Sequence, residues 1–189
     1  MTKLATMLVI AAAIPVASGA EDNLKAAIQR YFVPVRRNLE AAAEAMPAAK
    51  YDFRLSGGQM TFAEWLNHST ERNYADCAAL KGEAVPDGAK KAAALKEKAE
   101  VGQALRDSFA YCASALEHLG EDKVLASPQL TYTLLHIAVH NNEIYGNLAG
   151  YLRVSGIVPP STASRAPRAS TPRVASAPPT RSKRCSARP

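Results

Sequence analysis

The chain has 189 residues, with 23 Lys and Arg against 17 Asp and Glu. That is room for one domain of ordinary size with extensions at its ends. The formal charge of +6 sits at those ends: setting aside Lys3 and the seven basic residues past 160 leaves 15 basic against 17 acidic over 21–160. This near-neutral middle has no clustered basic surface of the kind a nucleic-acid binder needs, so no nucleic-acid partner is expected.

Residues 1–20, MTKLATMLVIAAAIPVASGA, have a single charge at Lys3, an apolar run over 4–14 and a small-residue end. That is the layout of a secretory signal cleaved after about Ala20, and the apolar run is short of the roughly 20 residues that span a bilayer. An exported protein, periplasmic or secreted, is expected. The alternative is a retained N-terminal anchor.

Four amphipathic helical segments follow. In the first, residues 23–46, Leu24, Ala27, Ile28, Tyr31, Phe32, Val35, Leu39, Ala42 and Met46 recur at spacings of three and four. Pro34 predicts a kink or a late start, and Pro47 ends the segment. The second begins at a capping box, Thr61 with Glu64. It carries Phe62, Trp65, Leu66, Ser69, Asn73, Cys77 and Leu80 along one side, with Trp65 read as core, and stops at Gly82. Residues 82–97 form a long connection with a helical turn or two in its Lys/Ala part. The third segment, 98–119, turns Val101, Leu105, Phe109, Cys112 and Leu116 inward. Ser127 caps the fourth, Pro128 takes its first position, and it runs to about Val154 before Gly156.

The fold class that follows is all-α, a four-helix bundle over 21–160. The other topology weighed is a three-helix bundle with the first segment as a docking arm. Past Pro160 the chain holds only Ser, Thr, Ala, Pro, Arg, Val, Lys and Cys. It has almost nothing to bury, so residues 161–189 read as a disordered basic tail, whose cations could make weak electrostatic contact with the cell envelope. Of the three cysteines, Cys77 and Cys112 fall on neighbouring helices in apolar surroundings. Either a disulfide or two buried thiols suits them, with a slight lean to the disulfide in an oxidising compartment.

The chemistry-bearing residues are His68 on the second helix and His136, His140 and Glu143 on the fourth. On a helix, His136 and position 144 each lie about 40° from His140, and Glu143 about 60° to its other side. The fourth helix can therefore offer His136 with His140, or His140 with Glu143, and His68 can complete a set from across the bundle. Three protein ligands with an open position make a zinc-type site, and two histidines with a carboxylate suit iron. The structural reading is equally concrete: imidazoles beside an apolar face are commonly hydrogen-bonded core residues. Asn73, Asn141 and Asn142 could orient the rings, or lie in solvent, as expected for Asn141. His118, ending the third helix, is left out of the site.

The segments EAMPAAKYDFR, FAEWLNHSTERNYADCAALKGE, SFAYCASALEHL and AVHNNEIYGNLAGYLRVSGIVPPS occur in this order. Together they resemble the DinB superfamily (DinB/YfiT-like proteins), specifically its exported subgroup, over about residues 24–161. The resemblance implies a bundle with a long crossover between helices two and three, in keeping with the connection at 82–97. It also implies a divalent metal ion (Zn, Ni, Mn or Fe) held by three histidines, one on helix two and an HxxxH pair on helix four. The first two match His68 and His140. The third falls on Ile144, because this chain reads HNNEIYGN where the subgroup resembles HNNEHYGN. His136 is the stand-in one turn earlier, so the metal set read here is His68, His140 and His136.

Two functions are expected on this footing. One is a divalent-metal-binding hydrolase or thiol-dependent transferase with a partly degenerate site, acting on an unknown small molecule. The other is a non-catalytic bundle that binds a small apolar ligand or a partner helix. No catalytic residue is assigned, and a homodimer is an admissible assembly.

Overall fold

In a computed structural model, residues 24–164 are described. The signal segment, Cys185 and all but the first residues of the tail lie outside them. Four long helices, α1 (Leu24–Ala45), α2 (Phe62–Lys81), α4 (Lys98–Glu117) and α6 (Pro128–Val154), form the bundle. Three short ones, α3 (Asp87–Ala92), α5 (Glu121–Leu125) and α7 (Pro160–Ala163), lie on the connections.

Cross-links give the topology. Lys25 Nζ donates to the Glu117 carbonyl at 2.8 Å and Lys98 Nζ to the Glu44 carbonyl at 2.6 Å, so α1 and α4 run antiparallel. Asn73 meets Ser108 and Cys77 is joined to Cys112, so α2 and α4 run parallel. Asp76 meets His136 and His68 meets His140, so α6 opposes α2 and accompanies α1. A parallel α2–α4 pair needs the crossover over 82–97, where α3 buries Ala89 and Ala92. There an added Cβ at Gly88 would come within 3.2 Å of the Tyr74 ring.

The helix ends form where the sequence places them. Thr61 Oγ1 accepts from the Glu64 amide at 3.1 Å while the Glu64 carboxylate accepts from the Thr61 amide at 2.6 Å. Gly82 (φ 73°) and Gly156 (φ 78°) take the left-handed conformation that follows α2 and α6, where a Cβ is disfavoured. Ser127 caps α6 by accepting from the Leu130 amide.

Each helix lays one stripe into the core. Phe32, Val35 and Leu39 of α1, Phe62 and Leu66 of α2, Leu105, Phe109 and Leu116 of α4, and Leu134, Ile144 and Leu148 of α6 are all buried. Each such side chain is worth about 1.5–3 kcal/mol of transfer free energy. The Cys77–Cys112 bridge, with both residues fully buried, ties α2 to α4 and realises the favoured reading of that pair.

Four expectations need correction. Helix α1 starts at Leu24 and continues through Pro34, which lies on its exposed side, so the late start is excluded. Tyr31 is 66% exposed, because Phe32, one position round the helix, takes the core direction. Trp65 is only partly buried, its indole N–H donating to the Tyr151 hydroxyl at 3.2 Å. Helix α5 was not foreseen; it is a five-residue turn with one buried apolar side chain, Val124, too short for any periodicity to show.

Candidate metal centre

The histidines rest on a buried polar layer that ties three helices together. Ser69 donates to Asn141 Oδ1 at 2.6 Å, and the Asn141 amide donates to Asn73 Oδ1 at 2.8 Å and to the Ile137 carbonyl at 2.7 Å. Asn73 in turn donates to Ser108, which donates to the Leu105 carbonyl. Asn141 is 2% exposed, so its expected place in solvent is overturned. One residue beyond His140 is 100° round the helix, which turns Asn141 from the rim into the interior. Every polar atom of this layer named here has a partner, which is the condition for such groups to be tolerated in a core.

Above the layer, α2 and α6 bring His68 and His140 together. Their Nε2 atoms are 2.9 Å apart, with ring centroids at 5.0 Å and planes at 86°. The centroid separation is nearly the contact distance plus one ring radius at each end, so the rings meet almost end-on. On the far side of its ring, His140 Nδ1 faces Glu143 Oε2 at 3.2 Å. An ionised carboxylate only accepts, so His140 Nδ1 donates to Glu143, and in the neutral imidazole that leaves a lone pair at Nε2. His68 is then the donor between the rings. Burial, followed by the neighbouring His140, Arg72 and His136, holds its imidazole below the ordinary value and favours the neutral form.

His136 is close by and turned elsewhere. Its Nδ1 donates to Asp76 Oδ2 at 2.7 Å, and Asp76 Oδ1 accepts from Arg72 at 2.6 Å. Its ring stacks on His140 with centroids 4.7 Å apart and planes at 16°, and on Tyr132 from the other side. Lone pairs of imidazoles lie in the ring planes, and two nearly parallel stacked planes share no nearby point. His136 and His140 therefore cannot hold one ion as placed. Glu143 is engaged at the opposite nitrogen of His140, away from His68.

Ile144, where the resemblance implies a third histidine, is fully buried in the core. Among the described residues no group of three or more His, Cys, Asp or Glu is arranged to hold a metal ion. A tetrahedral centre also needs lone pairs converging at an angle, whereas the Nε2 atoms of His68 and His140 face each other across a hydrogen bond. The three-ligand divalent ion implied by the resemblance does not fit these residues. His118 caps α4, its Nδ1 at 2.9 Å from the Ser114 carbonyl, well outside the site.

Asp76 escaped the sequence reading. Its signal was a carboxylate next to Cys77 within the buried stripe of α2, two turns beyond His68, with Arg72 four residues before it to carry the opposite charge. Two openings flank the cluster. A cleft of about 360 Å³ is lined by His68 with Arg54, Glu64 and Glu71. A trough of about 650 Å³ between α1 and α6 is lined mainly by Leu24, Ile28, Tyr31, Leu135 and Val139.

The sequence matches the family model of the DinB superfamily over residues 31–143, more than half of the chain. No curated protein and no solved structure matches it. The matched stretch takes in α2, α4, the first part of α6 and all three clustered histidines, and with the up–down–down–up bundle it settles the lineage: the chain belongs to the DinB superfamily.

Proposed function

We propose that this protein is a non-catalytic binding bundle, exported from the cell, in which the DinB scaffold persists without a three-histidine divalent centre. The observation that carries the reading is Ile144, fully buried where the third ligand would sit. The end-on His68–His140 contact supports it, because each imidazole already satisfies the other. The buried Cys77–Cys112 disulfide supports export, since such bridges persist in oxidising compartments. The ligand class is a small apolar molecule. The trough between α1 and α6 has the volume and the apolar lining typical of ligand pockets.

The competing reading, a metal-dependent hydrolase or thiol-dependent transferase, is favoured by one observation: His68 and His140 do converge across the bundle. Calorimetric titration with zinc, nickel and manganese separates the two, alongside a fluorescent apolar probe. The binding reading expects no stoichiometric divalent binding by the wild type and a gain of it in Ile144→His. It also expects probe binding that Val139→Asp weakens at least tenfold. Tight wild-type zinc or nickel binding that His68→Ala abolishes would overturn it.

A further inference from the structure

We propose that the trough between α1 and α6 binds a free, single-chain aliphatic amine, with its chain along the apolar floor and its ammonium head against the Glu143 carboxylate. The inference rests on the preceding reading that this trough is the ligand site, and it adds the chemistry of the ligand.

The trough has two unlike ends. Because α1 and α6 run parallel, Leu24 and Leu135 stand at one end and Tyr31, Asn142 and Glu143 at the other. The floor is Ile28 and Ala138, both 5% exposed. The walls are longer side chains that reach past it: Leu135 is 48% exposed, Val139 55% and Tyr31 66%. The opening follows from the sequence, since Ala27 and Ala138 offer only methyl groups where their neighbours carry long side chains. From Leu135 to Glu143 the helix rises about 12 Å. That is less than the roughly 15 Å depth of one bilayer leaflet, so the trough suits a chain of medium length rather than a membrane-lipid tail.

Polar chemistry is confined to the second end, and there it mostly accepts. Asn142 donates an amide N–H to the Ala138 carbonyl at 2.8 Å, and its Oδ1 remains an acceptor. Glu143 is 65% exposed at its side chain, and its one ion-pair partner among the described residues is His140, at Oε2. The carboxylate is thus hydrated while the trough is open and carries a charge that no lysine or arginine of the described chain offsets. A purely apolar occupant would cover part of that hydration and return nothing for it. A fatty acid would set a second carboxylate beside the first. An ammonium brings three N–H donors and the opposite charge to the same end, while its chain buries against Ile28 and Ala138.

The test is displacement of the fluorescent apolar probe from the purified protein by octylammonium, octanol and octanoate, which share one chain and differ in the head. At neutral pH and low salt, octylammonium should bind at least fivefold more tightly than octanoate, and added salt should narrow the gap. Glu143→Gln should bring the two within about twofold and Glu143→Lys should reverse their order, with octanol binding unchanged in both. Amide shifts on adding octylammonium should centre on Leu135, Val139 and Glu143. Equal binding of cation and anion, a preference that survives Glu143→Gln, or shifts centred elsewhere would overturn this inference and leave an apolar pocket standing. Failure of the probe and of octanol to bind would overturn the reading beneath it as well. A dimer in sedimentation that Val139→Asp dissociates would assign the trough to a second copy of the chain, against both.

Discussion

A branched aliphatic side chain and an imidazole make opposite demands on a bundle interior. Isoleucine at 144 gains free energy by leaving water, whereas a histidine there would be tolerated only with partners for both ring nitrogens. With isoleucine in place, the Nε2 atoms of His68 and His140 partner each other. The layer beneath them is the costly part to disturb. Removing the Asn141 side chain strands Ser69 and Asn73 in a dry core, so Asn141→Ala should lose about 2–3 kcal/mol in denaturant unfolding. A loss near zero would show that the layer is not held together through this residue. Glu64 acts at the start of α2, where its carboxyl is held below the ordinary 4.5, first by the Thr61 backbone N–H and then by Arg54. Its contribution is therefore complete above that value and is lost as pH falls through the lower folded one. Unfolding measured from neutral pH down to about pH 3.5 should show a shallower acid loss in Glu64→Gln than in the wild type. An unchanged profile would remove the carboxylate from the cap.

At the scale of elements, the long helices were legible because burial repeats every three to four residues and because their ends carry recognisable chemistry. Thr61 with Glu64, Ser127 with Pro128, and the glycines at 82 and 156 were all readable before any coordinates. The failures are just as physical. Tyr31 has the right spacing but lies at the edge of the stripe, and a count of apolar positions cannot tell edge from centre. Asn141 is polar, and spacing alone could not show that Ser69 and Asn73 of α2 would meet it, with Ser108 of α4 bonded to Asn73 in turn. The pairing of α2 with α4 rests on a disulfide closing 35 residues of chain, which includes the whole crossover. A loop of that length is worth about 3–4 kcal/mol in the chain-entropy account. The double variant Cys77→Ser, Cys112→Ser should lose that much stability while keeping its helical content. Stability unchanged within 1 kcal/mol would mean that packing alone sets the α2–α4 contact.

For the whole molecule, fold and lineage were within reach of the sequence, and the arrangement of the site was not. The family pattern located His68 and His140, and the bundle brings them together. It gave no warning that His136 would stack on its neighbour and spend Nδ1 on Asp76, since that depends on a carboxylate on another helix. The consequence is a DinB bundle with its histidines still gathered and the geometry of a three-ligand centre missing. The most direct measurement is anomalous scattering at the zinc edge from crystals of the wild-type protein grown with zinc. The account predicts no zinc held by three protein ligands, with His68 and His140 Nε2 in hydrogen-bond contact and Ile144 packed in the core. A zinc ion bound by His68, His140 and either His136 or Glu143 would contradict it.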